Sequence, residues 1–167
     1  MEKTMTDQQK IISYLTFKLK DEHFAFNVGK LINILEMVKI TKVPKTPEYM
    51  RGIINLRGEV LPVIDTKIKL GMGESEITGS TCILVIETQL DKEKVRLGAM
   101  VDSVLEVLEI EDADIKTPPS IGNENNMDFI TGVVEHNDKF IMLMDIDQIL
   151  NKTEKLEMKK VKSQIKE

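Results

Sequence analysis

Residues 49–65 read YMRGIINLRGEVLPVID, and residues 129–145 repeat the pattern without a gap as FITGVVEHNDKFIMLMD. Each segment has an aromatic residue at its start, then a glycine, a β-branched pair, a polar turn, an apolar strand and a final aspartate. Gly52 aligns with Gly132 and Asp65 with Asp145, in both cases 80 positions apart (132 − 52). A repeat of this length is one supersecondary unit used twice. Because the copies differ at the turn, we expect a distinct function at the turn of one copy.

The composition limits the classes of protein to which the chain can belong. It has 167 residues, 41% hydrophobic and 31% charged, which is typical of one folded domain or of two small lobes that share a core. The net charge of −5 argues against non-specific binding of nucleic acid. The single cysteine, Cys82, lies in an apolar run and is expected in the core. With no apparent signal peptide and no apolar run of membrane-spanning length, we expect a soluble cytoplasmic protein.

Short apolar segments with alternating polarity predict a mainly β protein. Five short strands in each half, joined by tight turns, favour two small antiparallel barrels, because closure removes exposed strand edges. One strand is expected over residues 34–40, and residues 34–36 match residues 104–106 at a different offset of 70 (104 − 34), so one loop is expected to differ in length. A short helix is expected at 66–70, after Asp65.

The polar, glycine-containing segment 71–79 predicts the boundary between the halves. We expect one domain over residues 11–150, with lobes at roughly 28–80 and 81–145, and leave open whether strands exchange between them. An exposed loop is expected at residues 122–126. Residues 146–167 are expected to form an amphipathic helix with a basic tail.

The chain carries little that predicts chemistry. His23 and His136 fall in expected turns, without the serine, cysteine or metal-ligand spacing that would favour catalysis or a metal site. Asp65 and Asp145 are interpreted as helix caps. No phosphate-binding glycine loop occurs. We therefore expect no catalytic residue, no metal and no cofactor.

Two charged residues keep alternative interpretations. Arg57 in the turn Asn55-Leu56-Arg57-Gly58 is either a solvated turn residue or a guanidinium that binds a carboxylate on another protein. Glu36, flanked by apolar residues, lies either on the polar face of an ordinary strand or at the rim of an apolar groove.

The stretch RGIINLRGEVLPVID at residues 51–65 closely resembles the signature of the CheW-like family of bacterial chemotaxis coupling proteins, and the resemblance extends from about Ser13 to Leu150. The resemblance implies two five-stranded, SH3-like antiparallel barrels around a shared core, short helices and a C-terminal α-helix, with no catalytic activity. It also implies two partners: the cytoplasmic tip of methyl-accepting chemoreceptors, and the regulatory domain of the chemotaxis histidine kinase. The protein would be recruited to membrane-associated receptor arrays without entering the membrane.

The resemblance also assigns site residues by position. The residues expected to contact the receptor are Leu31, Ile34, Glu36, Val38, Arg57, Val101 and Val104. Of these, Leu31, Val101 and Val104 are expected to line a groove between the lobes. Those expected to face the kinase are Pro44, Gly52, Asn55 and Gly58.

The implied function is that of a non-enzymatic scaffold that couples receptors to the kinase. A rival interpretation is a regulatory module of a different kinase-containing signalling complex, which a neighbouring gene for the catalytic part would favour. A second rival, an enzyme or small-ligand domain, would require a tight pocket with convergent polar groups.

Overall fold

The computed structural model describes residues 10–74, 76–118 and 129–166, with side chains described up to residue 163. The N-terminal residues 1–9 and the loop expected at 122–126 lie outside the described residues.

The described chain forms ten strands and two α-helices. The strands are β1 (Ile11–Leu19), β2 (Glu22–Asn27), β3 (Leu31–Glu36), β4 (Met50–Leu56), β5 (Glu59–Asp65), β6 (Cys82–Leu90), β7 (Glu93–Val101), β8 (Ser103–Glu111), β9 (Ile130–His136) and β10 (Lys139–Met144). The α-helices are α1 (Thr66–Lys69) and α2 (Lys152–Lys166).

The strands form two five-stranded sheets, as the sequence predicted. One sheet, which we call lobe I, has the order β3-β6-β7-β5-β4, and the other, lobe II, has the order β8-β1-β2-β10-β9. Most neighbours are antiparallel, but each sheet contains one parallel pair, β5 with β7 and β10 with β2. The expected lobe limits of 28–80 and 81–145 are therefore wrong, because residues 82–101 pair with β3 and β5 in lobe I.

The repeat explains this exchange of strands. In the parallel pair of lobe I, Val63 lies opposite Gly98, and in that of lobe II, Leu143 lies opposite Ala25. Since Leu143 is the repeat counterpart of Val63 (143 − 63 = 80), β2 occupies in lobe II the place that β7 occupies in lobe I. Each half of the sequence thus donates its first hairpin to the sheet built from the other half. The exchange ties the two lobes into one body.

Each sheet is closed by the chain that follows its edge strand. Thr41, beyond β3, pairs with Ile53 of β4, and Lys116, beyond β8, pairs with Val133 of β9. These closing residues are 75 positions apart (116 − 41), so the match of residues 34–36 to 104–106 at 70 does not describe structurally equivalent positions. The strand expected at residues 34–40 instead spans Leu31–Glu36, because Asn27 caps a 3₁₀ turn at Val28–Lys30 and frees the chain to pair with β6 from Leu31 onward.

The core between the lobes draws on both sheets. Phe17 and Phe24 of lobe II stack with their ring centroids 5.9 Å apart. They belong to one buried cluster with Leu84 and Leu97 of lobe I. Cys82 is buried at the edge of this cluster, as expected, and burial raises the pKa of its thiol. The shared core predicted by the family resemblance is therefore present.

Helix α2 begins after Asn151 and packs onto this core. The Asn151 side chain accepts a hydrogen bond from the Glu154 amide at 2.8 Å, and the Glu154 carboxylate accepts one from the Asn151 amide at 2.8 Å, which forms a capping box. Met158 is fully buried, and the buried Lys155 ammonium donates to the carbonyl oxygens of Gln89 and Asp147. No helix within the described residues is long and apolar enough to cross a bilayer.

Candidate protein-binding surface

The turn between β4 and β5 presents Arg57 in an uncommon backbone conformation. Arg57 and Gly58 both have positive φ, at 54° and 86°, the pattern of a type I′ hairpin turn. Asn55 accepts a hydrogen bond from the Gly58 amide at 2.9 Å, so Asn55 and Gly58 hold the turn's shape. The side chain of Arg57 is exposed, and among the described residues no carboxylate lies within ion-pair distance of it. Asn or Gly is favoured in this conformation, so the backbone of the turn does not itself require an arginine.

The outward face of β3 and of residues 37–38, which follow it, carries an exposed apolar stripe, called here the stripe on β3. Ile32, Ile34 and Val38 are 44%, 43% and 46% exposed, and the alternation of the strand places the exposed Glu36 in the same row. No cation in the described part of the chain forms an ion pair with Glu36. Ile34, Glu36 and Val38 therefore form one accessible surface of mixed character.

A groove of about 470 Å³ opens beside this stripe on lobe I. Val38 and Lys39 lie on one side and Asn55 on the other, and Ile53 and Val60 are among its apolar lining residues. It therefore brings together Val38, which was expected to face the receptor, and Asn55, which was expected to face the kinase. The two predicted sets are not spatially separate.

Three residues expected to line a receptor groove lie deeper than expected. Val101 is 1% exposed in the shared core, so the prediction that it lines a surface is wrong. Leu31 and Val104 are partly buried and pack against the same core. The physical reason is that β7 and the start of β8 lie where the two sheets meet.

The four residues expected to face the kinase divide in the same way. Gly52 is buried beneath the closing bridge of lobe I, so it is not available for direct contact with a partner. Pro44 is exposed, but it lines a different hollow of about 440 Å³ together with Lys42 and Arg51. Only Asn55 and Gly58 lie at the exposed turn beside Arg57.

Lobe II has a groove at the equivalent place, which the sequence analysis missed. It measures about 740 Å³, and its lining includes Lys116, Val133, Glu135 and Phe140. These are the structural counterparts of Thr41, Ile53, Asn55 and Val60 in the groove of lobe I. Phe140 is 66% exposed. The alignment of Phe140 with Val60 was the available clue.

The remaining polar residues serve structure. Asp65 accepts hydrogen bonds from the amides of Lys67 and Ile68 at 3.1 and 3.3 Å, and Asp145 accepts one from the Asp147 amide at 3.0 Å, so both cap short helical turns as predicted. His23 and His136 lie within β2 and at the end of β9, not in turns. Among the described residues, no three His, Cys, Asp or Glu side chains are arranged to hold a metal ion.

The comparisons with known proteins agree on one family. The family model described as CheW-like domain matches residues 13–154. The chain is 32% identical over 141 residues to the chemotaxis protein CheW of Rhizobium meliloti, covering 84% of this chain and 88% of that protein. It is 30% identical over 151 residues to the chemotaxis protein CheW of Thermotoga maritima, covering 89% of this chain and 93% of that protein.

A solved structure leads to the same family. The scaffolding protein TtCheW from Thermoanaerobacter tengcongensis superimposes with a TM-score of 0.75 at 31% identity, covering 88% of this chain and 94% of that one. The ten-strand, two-lobe architecture and the similarity along most of both chains agree. The chain belongs to the CheW-like domain family and is a non-enzymatic adaptor of chemotaxis signalling.

Proposed function

We propose that this chain couples the cytoplasmic tip of chemoreceptors to the regulatory domain of the chemotaxis histidine kinase. The observation that carries the proposal is that one lobe presents the turn bearing Arg57, which has no ion-pair partner among the described residues, together with an open apolar groove and the exposed stripe on β3. Such a surface suits docking, since it combines an apolar floor with an exposed guanidinium that no carboxylate of the described residues pairs with.

The receptor is assigned to the stripe on β3. A receptor tip is a helical hairpin, and an amphipathic helix can pack its apolar row against an exposed apolar stripe. Ile34 and Val38 supply the apolar contact, and Glu36 and Arg57 supply charges that fix the helix register. Leu31, Val101 and Val104 support this surface from below and do not contact the helix.

The kinase regulatory domain is assigned to the end of lobe I. Asn55 and Gly58 form the turn at the mouth of the groove, and Pro44 lies on the loop that leads to the closing bridge. Gly52 contributes indirectly, because it lets that bridge form. A partner that enters this groove meets Lys39 at the rim of the groove. An acidic group beside the apolar contact surface of the partner would therefore be favourable.

The proposed mechanism needs no chemistry in the adaptor. Two modest interfaces on one small body, repeated in membrane-associated arrays, give strong collective binding through effective concentration. The receptor state would then change how the kinase is held, as a shift between populations. The rival interpretation, a module of another kinase complex, has no observation in its favour.

A stepwise calorimetric titration tests the proposal. The purified kinase regulatory domain is titrated into the full chain, and a receptor-tip fragment is then titrated into the binary complex. We expect both partners to bind with a one-to-one stoichiometry for each chain and to form a ternary complex. Competition between the partners, or failure of either to bind, would refute simultaneous coupling.

A further inference from the structure

The C-terminal helix α2 lies along β5, the strand that begins directly after the Arg57 turn. Met158 is buried in the shared core, and Val161 packs against the same cluster. Lys162 lies one helical turn after Met158 and directly follows Val161, so these two packing contacts fix its position. The helix thereby reaches lobe I at the turn end of the β4–β5 hairpin, which carries the candidate site.

Lys162 makes the contact at this point. Its ammonium donates to a carboxylate oxygen of Glu59 at 2.8 Å, and the other oxygen of Glu59 lies 3.5 Å from the Arg96 guanidinium. Glu59 is the first residue of β5 and pairs with Leu56 across the two-residue turn. The hydrogen bond from Lys162 is the main cause that holds the pKa of Glu59 below its usual value, so the Glu59 carboxylate is ionised at neutral pH.

We propose that α2 is a brace for the Arg57 turn and that Lys162 and Glu59 are positioning residues for partner binding. The inference rests on the proposed function, since it assigns the helix a role in presenting Arg57. Arg57 lies two residues before Glu59 and occupies an unfavourable positive-φ conformation. A constraint at the base of such a turn reduces the population of conformers in which the guanidinium points elsewhere.

The expected effect is modest and local. Both side chains of the pair are about one third exposed, and exposed ion pairs of this kind change equilibria by roughly two- to fivefold. The helix itself stays docked without the pair, because Met158 and Lys155 anchor it elsewhere. Loss of Lys162 should therefore loosen the turn without unfolding the protein.

The test uses Lys162→Met, with Lys160→Met as the matched control. Lys160 lies on the same helix, and its side chain is exposed on the outer face. Amide hydrogen exchange of residues 56–59 should be about two- to fivefold faster in Lys162→Met and unchanged in Lys160→Met, and Lys162→Arg should restore the wild-type rate. Affinity for the receptor fragment and the kinase domain should fall by a similar factor in Lys162→Met alone.

The outcomes separate this inference from the proposed function. Unchanged exchange at residues 56–59 in Lys162→Met overturns the brace. Faster exchange with unchanged affinity for both partners overturns the role of the brace in binding. If the wild-type chain itself fails to bind the receptor fragment or the kinase domain, the proposed function fails, whatever the exchange rates show.

Discussion

Gly52 lies directly beneath the carbonyl oxygen of Thr41, at the point where the sheet of lobe I closes. Thr41 and Ile53 exchange two backbone hydrogen bonds, of 2.9 and 2.8 Å, and a Cβ atom on Gly52 would collide with the Thr41 carbonyl. Gly132 holds the equivalent place beneath Ile115 and Lys116 in lobe II. The glycine in each repeat therefore leaves room for the chain that closes the lobe, which is the Thr41 carbonyl at Gly52 and chiefly the Ile115 side chain at Gly132.

Replacement of Gly52 by alanine should destabilise the protein by about 2–4 kcal/mol, because it combines a collision with backbone atoms and a φ of 147° that side chains disfavour. Gly79→Ala is the matched control, since no atom lies within 4 Å of a Cβ at that position. Urea unfolding of both variants provides the measurement. Equal midpoints for the two variants would show that closure at Gly52 does not limit stability.

Charge reversal at Arg57 should separate folding from coupling. We expect Arg57→Glu to retain the fold but to weaken receptor-driven activation of the kinase by about tenfold or more, as loss of a charged interface contact does. Arg57→Asn, which copies Asn137 at the equivalent turn of lobe II, should stabilise the protein by about 1 kcal/mol and still couple poorly. Lys92→Glu, in the exposed β6–β7 turn, serves as the control. Normal activation by Arg57→Glu would remove Arg57 from the site.

Glu36→Lys tests the stripe on β3. The reversal should lower affinity for receptor fragments by about 1–2 kcal/mol, because a charge that fixes the helix register becomes repulsive. Glu109→Lys on β8 is the control, since Glu109 is also an exposed strand residue. Calorimetric titration reports both affinities. Curves that superimpose on the wild-type curve would place the receptor elsewhere.

Asp147 should make stability depend on pH. Burial opposes ionisation, but hydrogen bonds from Lys30 at 2.8 Å and from the Gln89 amide at 3.0 Å outweigh it and hold the pKa of Asp147 below its usual value. A lowered folded-state pKa gives stability above the unfolded-state pKa that is lost as the pH falls through the folded-state pKa.

Asp147→Asn should therefore cost about 1–2 kcal/mol near neutral pH and progressively less in acid. Urea unfolding of the wild-type protein and of Asp147→Asn, at a series of pH values from neutral to acidic, provides the measurement. A difference in the free energy of unfolding that stays constant from neutral to acidic pH would contradict this assignment. The charge of the Asp147 carboxylate would then make no contribution to stability.

Local pattern was enough to predict most strands and both caps. The repeat located Gly52, Gly132, Asp65 and Asp145, and each has the same structural role in its own lobe. The spacing of Ile34, Glu36 and Val38 is consistent with the exposed row in which they lie, because side chains two apart share a face. These features depend on neighbours within a few residues, which a sequence displays directly.

The exchange of hairpins could not be predicted in this way. Whether β6 pairs with β3 or with β8 depends on contacts far apart in sequence, and both pairings satisfy the same alternation. For the same reason, the burial of Val101 and the link from Lys162 to Glu59 could not be predicted from local pattern. The family resemblance assigned Val38 and Asn55 to different partners, although both line one groove, and it did not indicate which side chains reach the surface.

The central claim is that this protein transmits receptor state to a kinase without chemistry of its own. The most direct measurement is autophosphorylation of the purified chemotaxis kinase with receptor-tip assemblies, in the presence and absence of this chain. We predict that the kinase is activated and becomes sensitive to receptor state only when the chain is present, and that Arg57→Glu removes most of this effect. A kinase that responds to receptors equally well without the chain would contradict the account.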